Sequence, residues 1–303
     1  MQRTVLRDIP VSGVGLHGGK PVRMVIRPAA PDAGLAFYRS DVDSVIAVSP
    51  ANWVEANLCT LLRNAAGHEV RTIEHLLAAL HGCGVHNALI DIDGPEVPIL
   101  DGSAAPFVRR LLEAGLVESD APLYVLRVLR DVSVRRGDAC ASLRPAEEFR
   151  MSFGIAFDDP AIGRQSASMR LHNGAFLREL SDCRTFCLRA DVEAMQANGL
   201  ALGGSLDNAV VFDRGRVLSP GGLRRQDEPV RHKMLDAMGD LYVLGCPLLG
   251  HYQAERAGHA VTGLLLQALL ADPRNYRIEP CQPHLQAHLP GMGTSLRDLP
   301  LSA

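Results

Sequence analysis

No stretch of the chain is apolar over the roughly 18 residues that a membrane-spanning helix requires. The amino-terminal segment MQRTVLRDIPVSG also lacks the apolar centre of a signal peptide. We therefore expect a cytoplasmic protein without a transmembrane segment.

The chain also carries little excess charge. Its 31 Lys and Arg residues are nearly balanced by 34 Asp and Glu residues, so the formal net charge is only -3. Proteins that bind nucleic acid through its phosphates usually show a basic patch or a basic excess. The near balance argues against nucleic acid as a partner.

The seven cysteines form an odd set that contains no CxxC pair. This pattern argues against a zinc ribbon and against a disulfide framework, and it favours reduced thiols. Cys183 and Cys187 lie four residues apart and could share a metal ion, although free cysteines are more often small core residues.

Repeats are absent as well. The sequence shows no internal repeat, no heptad pattern and no large apolar stripe that would mark a subunit interface. We expect a monomer.

The composition is that of an ordinary globular protein, with 47% hydrophobic and 21% charged residues among 303. This length suits two domains of roughly 150 residues each. The polar, proline-terminated segment ESDAP at 118–122 predicts the boundary, with one domain over residues 1–121 and the other over 122–303.

Short strands and helices mix in both halves, which predicts an α+β fold with two domains of similar broad order. The segment from about 281 to 303 is rich in Pro, Gly, His and Ser, and we expect a loose tail there. Helices are predicted over about 72–81, 104–114, 191–199, 229–245 and 259–273, and strands near 88–94, 151–157 and 166–171.

The first predicted helix is amphipathic. At about 100° per residue its Ile and Leu side chains fall in one arc, while Glu74 and His75 fall in the opposite one. A lone histidine on a polar helix face is more often an ordinary surface residue than a metal ligand.

The fourth predicted helix carries a stronger pattern. His232, Asp236 and Asp240 recur every fourth residue, opposite an apolar arc, and Lys233 lies beside that row. Residues four apart project one turn above the other, so His232 and Asp236 could bind one metal ion. A solvated ion pair explains this segment equally well.

Taken together, His75, His232 and Asp236 would make two imidazoles and one carboxylate, which leaves the fourth tetrahedral position open for water, as in catalytic zinc sites. Glu74 could then take a proton from that water. His259, near the start of the last predicted helix, suits a general acid held cationic by a carboxylate such as Asp240, although a mere capping or packing role is equally compatible with its position.

Eight strings in order along the chain resemble the family of UDP-3-O-acyl-N-acetylglucosamine deacetylases. They are SGVGLHGGKPV (12–22), LCTLLRN (58–64), VRTIEHLLAALHGCGVHN (70–87), PEVPILDGSAAPFV (95–108), CRTFCL (183–188), GLALGGSLDNAVVFD (199–213), EPVRHKMLDAMGDLYVLG (228–245) and GH (258–259). The resemblance implies zinc-dependent removal of acetate from a UDP-linked, 3-O-acylated N-acetylglucosamine, the committed deacetylation of lipid A biosynthesis. It implies two similar domains, each a small sheet with helices, whose helices are sandwiched between the two sheets.

Residue by residue, the resemblance assigns roles that agree with the helix faces. It makes His75, His232 and Asp236 the Zn²⁺ ligands, Glu74 the general base, and His259 the general acid with Asp240 as its partner. It further implies that Thr185 helps to hold the oxyanion, that Lys233 contacts the substrate near the metal and that Phe186 lines the substrate surface. The alternative for Thr185 is that it chiefly satisfies the backbone, and the alternative for Phe186 is that it is plain core.

The substrate so implied is amphiphilic, so the site should join a polar region to an apolar tunnel, with walls from the apolar residues of GLALGG and NAVVFD. Two other functions remain open. One is a zinc amidohydrolase for a different N-acyl sugar, which needs no acyl passage, and the other is a catalytically silent, zinc-stabilised binding protein, for which Glu74 would be dispensable.

Overall fold

The computed structural model describes residues 1–300 of the protein. The first part of the chain builds a five-stranded sheet in the order β2-β3-β9-β4-β5, a three-stranded sheet β6-β7-β8 and the pair β1-β10. Its elements are β1 (Arg3–Val5), β2 (Ile9–Val14), β3 (Pro21–Pro28), β4 (Leu35–Arg39), β5 (Ser44–Ala47), β6 (Trp53–Val54), β7 (Leu61–Arg63), β8 (Glu69–Arg71), α1 (Glu74–Cys83), β9 (Ala88–Ile92), α2 (Ala105–Ala114) and β10 (Leu116–Glu118).

The rest of the chain builds a seven-stranded sheet, in which β12-β13-β19-β11-β20 form one path and β14 and β15 continue from β19. The small sheet β16-β17-β18 stands apart from it. The elements are β11 (Tyr124–Val128), β12 (Val132–Arg136), β13 (Ala139–Arg144), β14 (Phe149–Ala156), β15 (Arg164–Arg170), α3 (Ala175–Glu179), β16 (Phe186–Leu188), α4 (Arg189–Ala197), β17 (Val210–Asp213), β18 (Arg216–Val217), α5 (Glu228–Leu241), β19 (Leu248–Glu255), α6 (His259–Leu270), β20 (Tyr276–Pro280) and α7 (Pro283–Gln286).

The helices occupy the space between the two large sheets. Helix α2 packs on β2 of the first sheet, α5 and α6 pack on strands of the second, and α1 lies between α2 and α5. Every second residue of β3 is buried, as expected of a strand with one face on a helical layer. The predicted α+β fold with sandwiched helices is confirmed, while the domain boundary at residues 121 and 122 stays a prediction.

Helix α1 is more deeply buried than its amphipathic pattern indicates. All ten of its residues are buried, including Glu74 and His75, for which the sequence indicated a polar face. The difference arises because α1 packs against α5 as well as against α2, so a second helix covers part of its surface. The two polar residues therefore face the interior rather than the solvent.

The two helices approach each other closely at Gly239 of α5. A Cβ atom placed on this residue would lie 2.0 Å from the carbonyl oxygen of Glu74, a distance that real Cβ atoms do not reach. Only glycine permits the backbones to meet at this point. The crossing lies one residue before Asp240 and at the first residue of α1, so it sets the spacing of the polar side chains there.

The carboxyl-terminal segment packs against the body of the protein. Leu285 and Leu289 are buried with Leu123, Val125 and Leu249 in a small second core, and the guanidinium of Arg3 donates a hydrogen bond to the carbonyl of Gly291. The prediction of a loose tail is therefore wrong for residues 281–300, because this short polar segment carries just enough leucine to close the end of the sheet. Within residues 1–300, no helix combines the length and the apolar character that crossing a membrane requires.

Deep in the helical layer, His81 of α1 stacks flat on Tyr242, with ring centroids 4.2 Å apart. Burial lowers the pKa of His81 to about 3, so the folded protein holds this ring neutral. His81 therefore packs as a neutral aromatic ring, on the same helix as Glu74 and His75.

Replacing Gly239 with Ala should separate α1 from α5. Overpacked core positions typically lose about 1–3 kcal/mol of unfolding free energy, and a backbone contact leaves little room for relief. We expect a loss at or above that range in urea unfolding. Gly94→Ala is the matched control, since its Cβ would meet only Val22 Cγ2 at 3.7 Å; equal losses in both variants would contradict the close crossing.

Replacing His81 with Phe should flatten the acid side of the stability profile. The unfolded chain binds a proton at this ring below about pH 6.5, whereas the folded chain does not until about pH 3, so the parent loses stability as the pH falls through this window. Between pH 7.5 and 5.5 the parent should lose about 1.4 kcal/mol more than His81→Phe. Replacing the exposed His284 with Phe should keep the parental profile, and a parental slope in His81→Phe would refute the assignment.

Candidate active site

Three side chains converge where α1 meets α5. The Nε2 atoms of His75 and His232 lie 3.4 and 3.2 Å from Oδ1 of Asp236, and the two imidazole rings stand edge to face with centroids 5.0 Å apart. One ligand atom from each residue falls within 4.8 Å of the others, and all three residues are buried. The structure thus brings together the three predicted metal ligands in a geometry that can hold one ion.

The donor set fits a cation. Oδ1 of Asp236 is buried without a hydrogen-bond partner and faces both imidazoles, whereas Oδ2 accepts a hydrogen bond from Lys233 Nζ at 2.7 Å. Burial by itself would raise the pKa of Asp236, but His232, Lys233 and His75 hold it well below its ordinary value. An ionised carboxylate with one oxygen left unpaired beside two imidazoles is what a divalent ion requires.

A hydrogen bond on the side of the ring away from Asp236 fixes the orientation of His232. Its Nδ1 donates a hydrogen bond of 3.0 Å to the carbonyl of Cys183, which leaves the Nε2 lone pair directed at Asp236. One turn earlier on α5, Glu228 forms a buried ion pair with Arg184 at 2.9 Å. This pair ties the first turn of α5 to the segment that carries Cys183 and Thr185.

Glu74 is the first residue of α1 and lies beside this group. It is 3% exposed, and this burial, with the negative charges of Asp236 and Asp240, raises its pKa despite the opposing charge of His259. A carboxyl group whose pKa is raised toward neutrality is a better proton acceptor at physiological pH than an exposed glutamate.

His259 opens helix α6 and faces Glu74. Its Nδ1 lies 3.0 Å from Oδ2 of Asp240, and its Nε2 lies 3.9 Å from Oε1 of Glu74. Burial and the helix N-terminus both favour a neutral ring. The carboxylates of Asp240 and Glu74 outweigh burial and raise the pKa of His259. The ring is therefore poised to carry a proton, as the sequence analysis required of an acid.

The three remaining predicted residues line one cavity with the metal group. Thr185, Phe186 and Lys233 all border it. The backbone of Thr185 already bonds Gly102 and Val210, so its side chain is not needed to satisfy the main chain there. Phe186 packs edge-on against Phe157 with centroids 5.5 Å apart and is only partly buried, which distinguishes it from a plain core residue.

The cavity has a volume of about 840 Å³. Its lining joins the polar residues described above to a group of apolar side chains, here called the apolar arm. Ala201, Ala209 and Val211, from the two segments in which the sequence placed tunnel walls, belong to its lining. Helix α4 adds further walls that the sequence did not indicate, and the apolar side chains around the arm include Leu188, Val192, Met195, Leu206 and Leu218.

Two residues near the reacting end escaped the sequence analysis. Thr60 is 1% exposed and bonds both Glu74 and Asp240. His17 is 4% exposed and borders the cavity with its Nε2 unpaired. Both lie in strings that carried the family resemblance, but their contacts join segments far apart in the chain, so no local periodicity could reveal them.

The cysteines form no metal site of their own among residues 1–300, and all seven are free thiols. Cys59, in the string before the first helix, is buried, and burial raises the pKa of its thiol to about 12. A thiol held protonated in this way is a poor ligand. Cys183 contributes its backbone carbonyl rather than its sulfur to the site.

Comparison with known proteins identifies relatives along nearly the whole chain. The family model described as UDP-3-O-acyl N-acetylglycosamine deacetylase matches residues 2–271. A protein of Phenylobacterium zucineum named UDP-3-O-acyl-N-acetylglucosamine deacetylase is 50% identical over 280 residues, which cover 91% of this chain and 96% of that one. Proteins of the same name from Haemophilus influenzae and Idiomarina loihiensis are 46% and 48% identical, each covering 89% of this chain and 90% of their own.

Proposed function

The chain belongs to the family of UDP-3-O-acyl-N-acetylglucosamine deacetylases, hydrolases of lipid A biosynthesis, and we propose that its His75, His232 and Asp236 hold the zinc ion of this reaction. The observation that carries the proposal is the unpaired Oδ1 of Asp236, which two imidazole Nε2 atoms face at 3.4 Å or less. Two nitrogens and one oxygen are a common ligand set of catalytic zinc, whose fourth position is left for water.

Zinc bound there would supply a Lewis acid that lowers the pKa of water and polarises the acetamide carbonyl. Glu74 lies beside the ligands and takes the proton of the attacking water, for which its raised pKa suits it. Its Oε1 is the oxygen nearer to His259, with 3.9 Å between Oε1 and Nε2, so proton acceptor and proton donor lie side by side and can serve the same amide.

Thr185 and His259 complete the proposed reaction. The hydroxyl of Thr185, at the edge of the cavity, donates to the oxyanion that forms when water adds to the carbonyl. His259 then gives a proton to the departing nitrogen as the C–N bond breaks. Acetate and a free amine result, and Asp240 stabilises the cationic ring before that transfer.

The shape of the cavity supports an amphiphilic UDP-sugar with a 3-O-acyl chain. The polar end holds Lys233, whose ammonium could contact the substrate close to the metal, and Phe186 borders the same space. The apolar arm beyond them gives a hydrocarbon chain a place out of water. A zinc amidohydrolase for an unacylated sugar would have no use for this arm.

A silent binding protein is the other alternative, and the placement of the acid and base speaks against it. Glu74 and Asp240 are buried and the side chain of His259 is 10% exposed, so these charges lower stability unless they are paired with one another. A protein that only binds a ligand would have no need of such a group. The monomeric state and the cytoplasmic location stay predictions.

Metal content and activity separate the proposed roles. Asp236→Ala should lose the bound metal, whereas Glu74→Gln should keep about one metal per chain and lose activity by about 10²–10⁴-fold, the usual contribution of a general base. Glu193→Gln, on the exposed surface of α4, is the control for both measures. A metal-free parent, or a Glu74→Gln variant with parental turnover, would refute the mechanism.

The apolar arm should select the acyl chain. Replacing Met195 with Trp fills part of the arm, so kcat/KM for a long 3-O-acyl substrate should fall about tenfold relative to that for a short one, a typical cost of misfit in an apolar pocket. Gln196→Trp puts the same ring on the neighbouring exposed position. The assignment fails if both variants treat long and short substrates alike.

A further inference from the structure

Thr60 lies between Glu74 and Asp240 and bonds both, although the proposed mechanism does not use it. It precedes strand β7, is 1% exposed, and comes from the first half of the chain, whereas Asp240 and His259 come from the second. The backbone two residues earlier, at Leu58, takes the unusual φ of 66°. The chain thus turns sharply just before Thr60 and delivers it into the space between α1, α5 and α6.

The backbone of Thr60 contacts the proposed base. Its N–H donates a hydrogen bond of 3.0 Å to Oε2 of Glu74. This bond occupies one carboxylate oxygen and leaves Oε1, which lies 3.9 Å from His259 Nε2, free to face the reacting water. The amide of Thr60 therefore determines that Oε1, rather than Oε2, of Glu74 is the oxygen available to accept a proton.

The side chain of Thr60 contacts the partner of the proposed acid. Its hydroxyl donates a short hydrogen bond to Oδ1 of Asp240, because an ionised carboxylate can only accept. The hydroxyl oxygen of Thr60 also lies 3.3 Å from Nδ1 of His259. This nitrogen in turn lies 3.0 Å from Oδ2 of Asp240. The hydroxyl therefore holds Asp240 in the plane that receives the Nδ1 proton.

Through these contacts Thr60 bonds both the proposed base, Glu74, and the partner of the proposed acid, Asp240. We infer that Thr60 is a positioning residue for the deacetylation: its amide orients Glu74, and its hydroxyl orients Asp240 so that His259 directs Nε2 at the departing nitrogen. The inference rests on the roles proposed above for Glu74 and His259. Thr60 is not among the residues that line the cavity, and it acts through Glu74 and His259, which are.

The hydroxyl of Thr60 can be removed with little change in the shape of the side chain, because valine has nearly the same shape as threonine. In the metal-loaded enzyme, Thr60→Val should lower kcat by about 10–100-fold, the range expected for a lost hydrogen bond to a charged group, while KM and metal content stay near parental values. Thr60→Ser keeps both the amide and the hydroxyl and should recover most of the loss. A purely structural role would instead lower the melting temperature without separating kcat from KM.

Tyr242→Phe provides the matched control. The Tyr242 hydroxyl is also buried on the second half of the chain and donates to the first, at Val85 O over 2.7 Å. It lies just after the end of α5, and its ring stacks on His81 rather than on a residue of the proposed proton path. Its removal should lower the melting temperature with kcat unchanged. If Thr60→Val behaves in the same way as Tyr242→Phe, the inference is overturned.

A double-mutant cycle with Asp240→Asn tests whether the hydroxyl acts through Asp240. The kcat effect of Thr60→Val should shrink to less than about threefold in that background, because its target is already altered, whereas the effects of Tyr242→Phe should add. Full additivity of Thr60→Val would overturn the inference. So would failure of Thr60→Val and Thr60→Ala to fold, since the role would then be structural.

The failure of this inference can be told from the failure of the mechanism beneath it. Glu74→Gln and His259→Asn are assayed in parallel with the Thr60 variants. If both lose activity while Thr60→Val keeps parental kcat, only the positioning role is wrong. If Glu74→Gln or His259→Asn keeps parental kcat, the proposed acid and base are wrong, and the inference falls with them.

Discussion

The contact between the backbones of α1 and α5 is the constraint on which the rest of the structure depends. Gly239 lies so close to the carbonyl of Glu74 that no side chain fits between the helices. Because His75 follows Glu74 directly and Asp236 lies one turn before Asp240, this distance also sets the spacing of the proposed metal ligands. A site shared by two halves of a chain needs such a fixed contact, since a shift of about 1 Å in its parts is enough to impair catalysis.

Bringing the helices together buries an unusual number of charged groups. Three carboxylates, from Glu74, Asp236 and Asp240, lie within the same layer and are each less than 5% exposed. Such groups are tolerated only where hydrogen bonds and opposite charges compensate them. The compensation comes from all sides: Lys233 and the imidazoles for Asp236, His259 for Asp240, and the backbone of Thr60 for Glu74. The polar centre is therefore preorganised rather than assembled on binding.

The sequence located the helices and the residues on their faces because side chains three and four apart must share a face. This was enough to group His232 with Asp236, whereas His75 became a predicted ligand only in combination with that pair and through the family resemblance. It could not show that α1 is buried all round, since the helix that covers its second face lies some 150 residues away and leaves no mark on local periodicity. Thr60 and His17 were missed for the same reason. Loop residues act through contacts that only the folded chain creates.

Helices hold the polar centre, whereas the apolar arm of the cavity has walls from α4 and the segments around β17. The polar centre and the apolar arm therefore differ in how well they tolerate amino-acid substitutions. A helix face held by a backbone contact moves as a unit, so substitutions there alter several catalytic groups together. Side chains such as Met195 and Leu206 are partly exposed and border only the arm. Substitution of these side chains can reshape the space for a hydrocarbon chain while the distances between His75, His232 and Asp236 stay as they are. The proposed chemistry and the proposed selection of the acyl chain therefore depend on separate parts of one cavity.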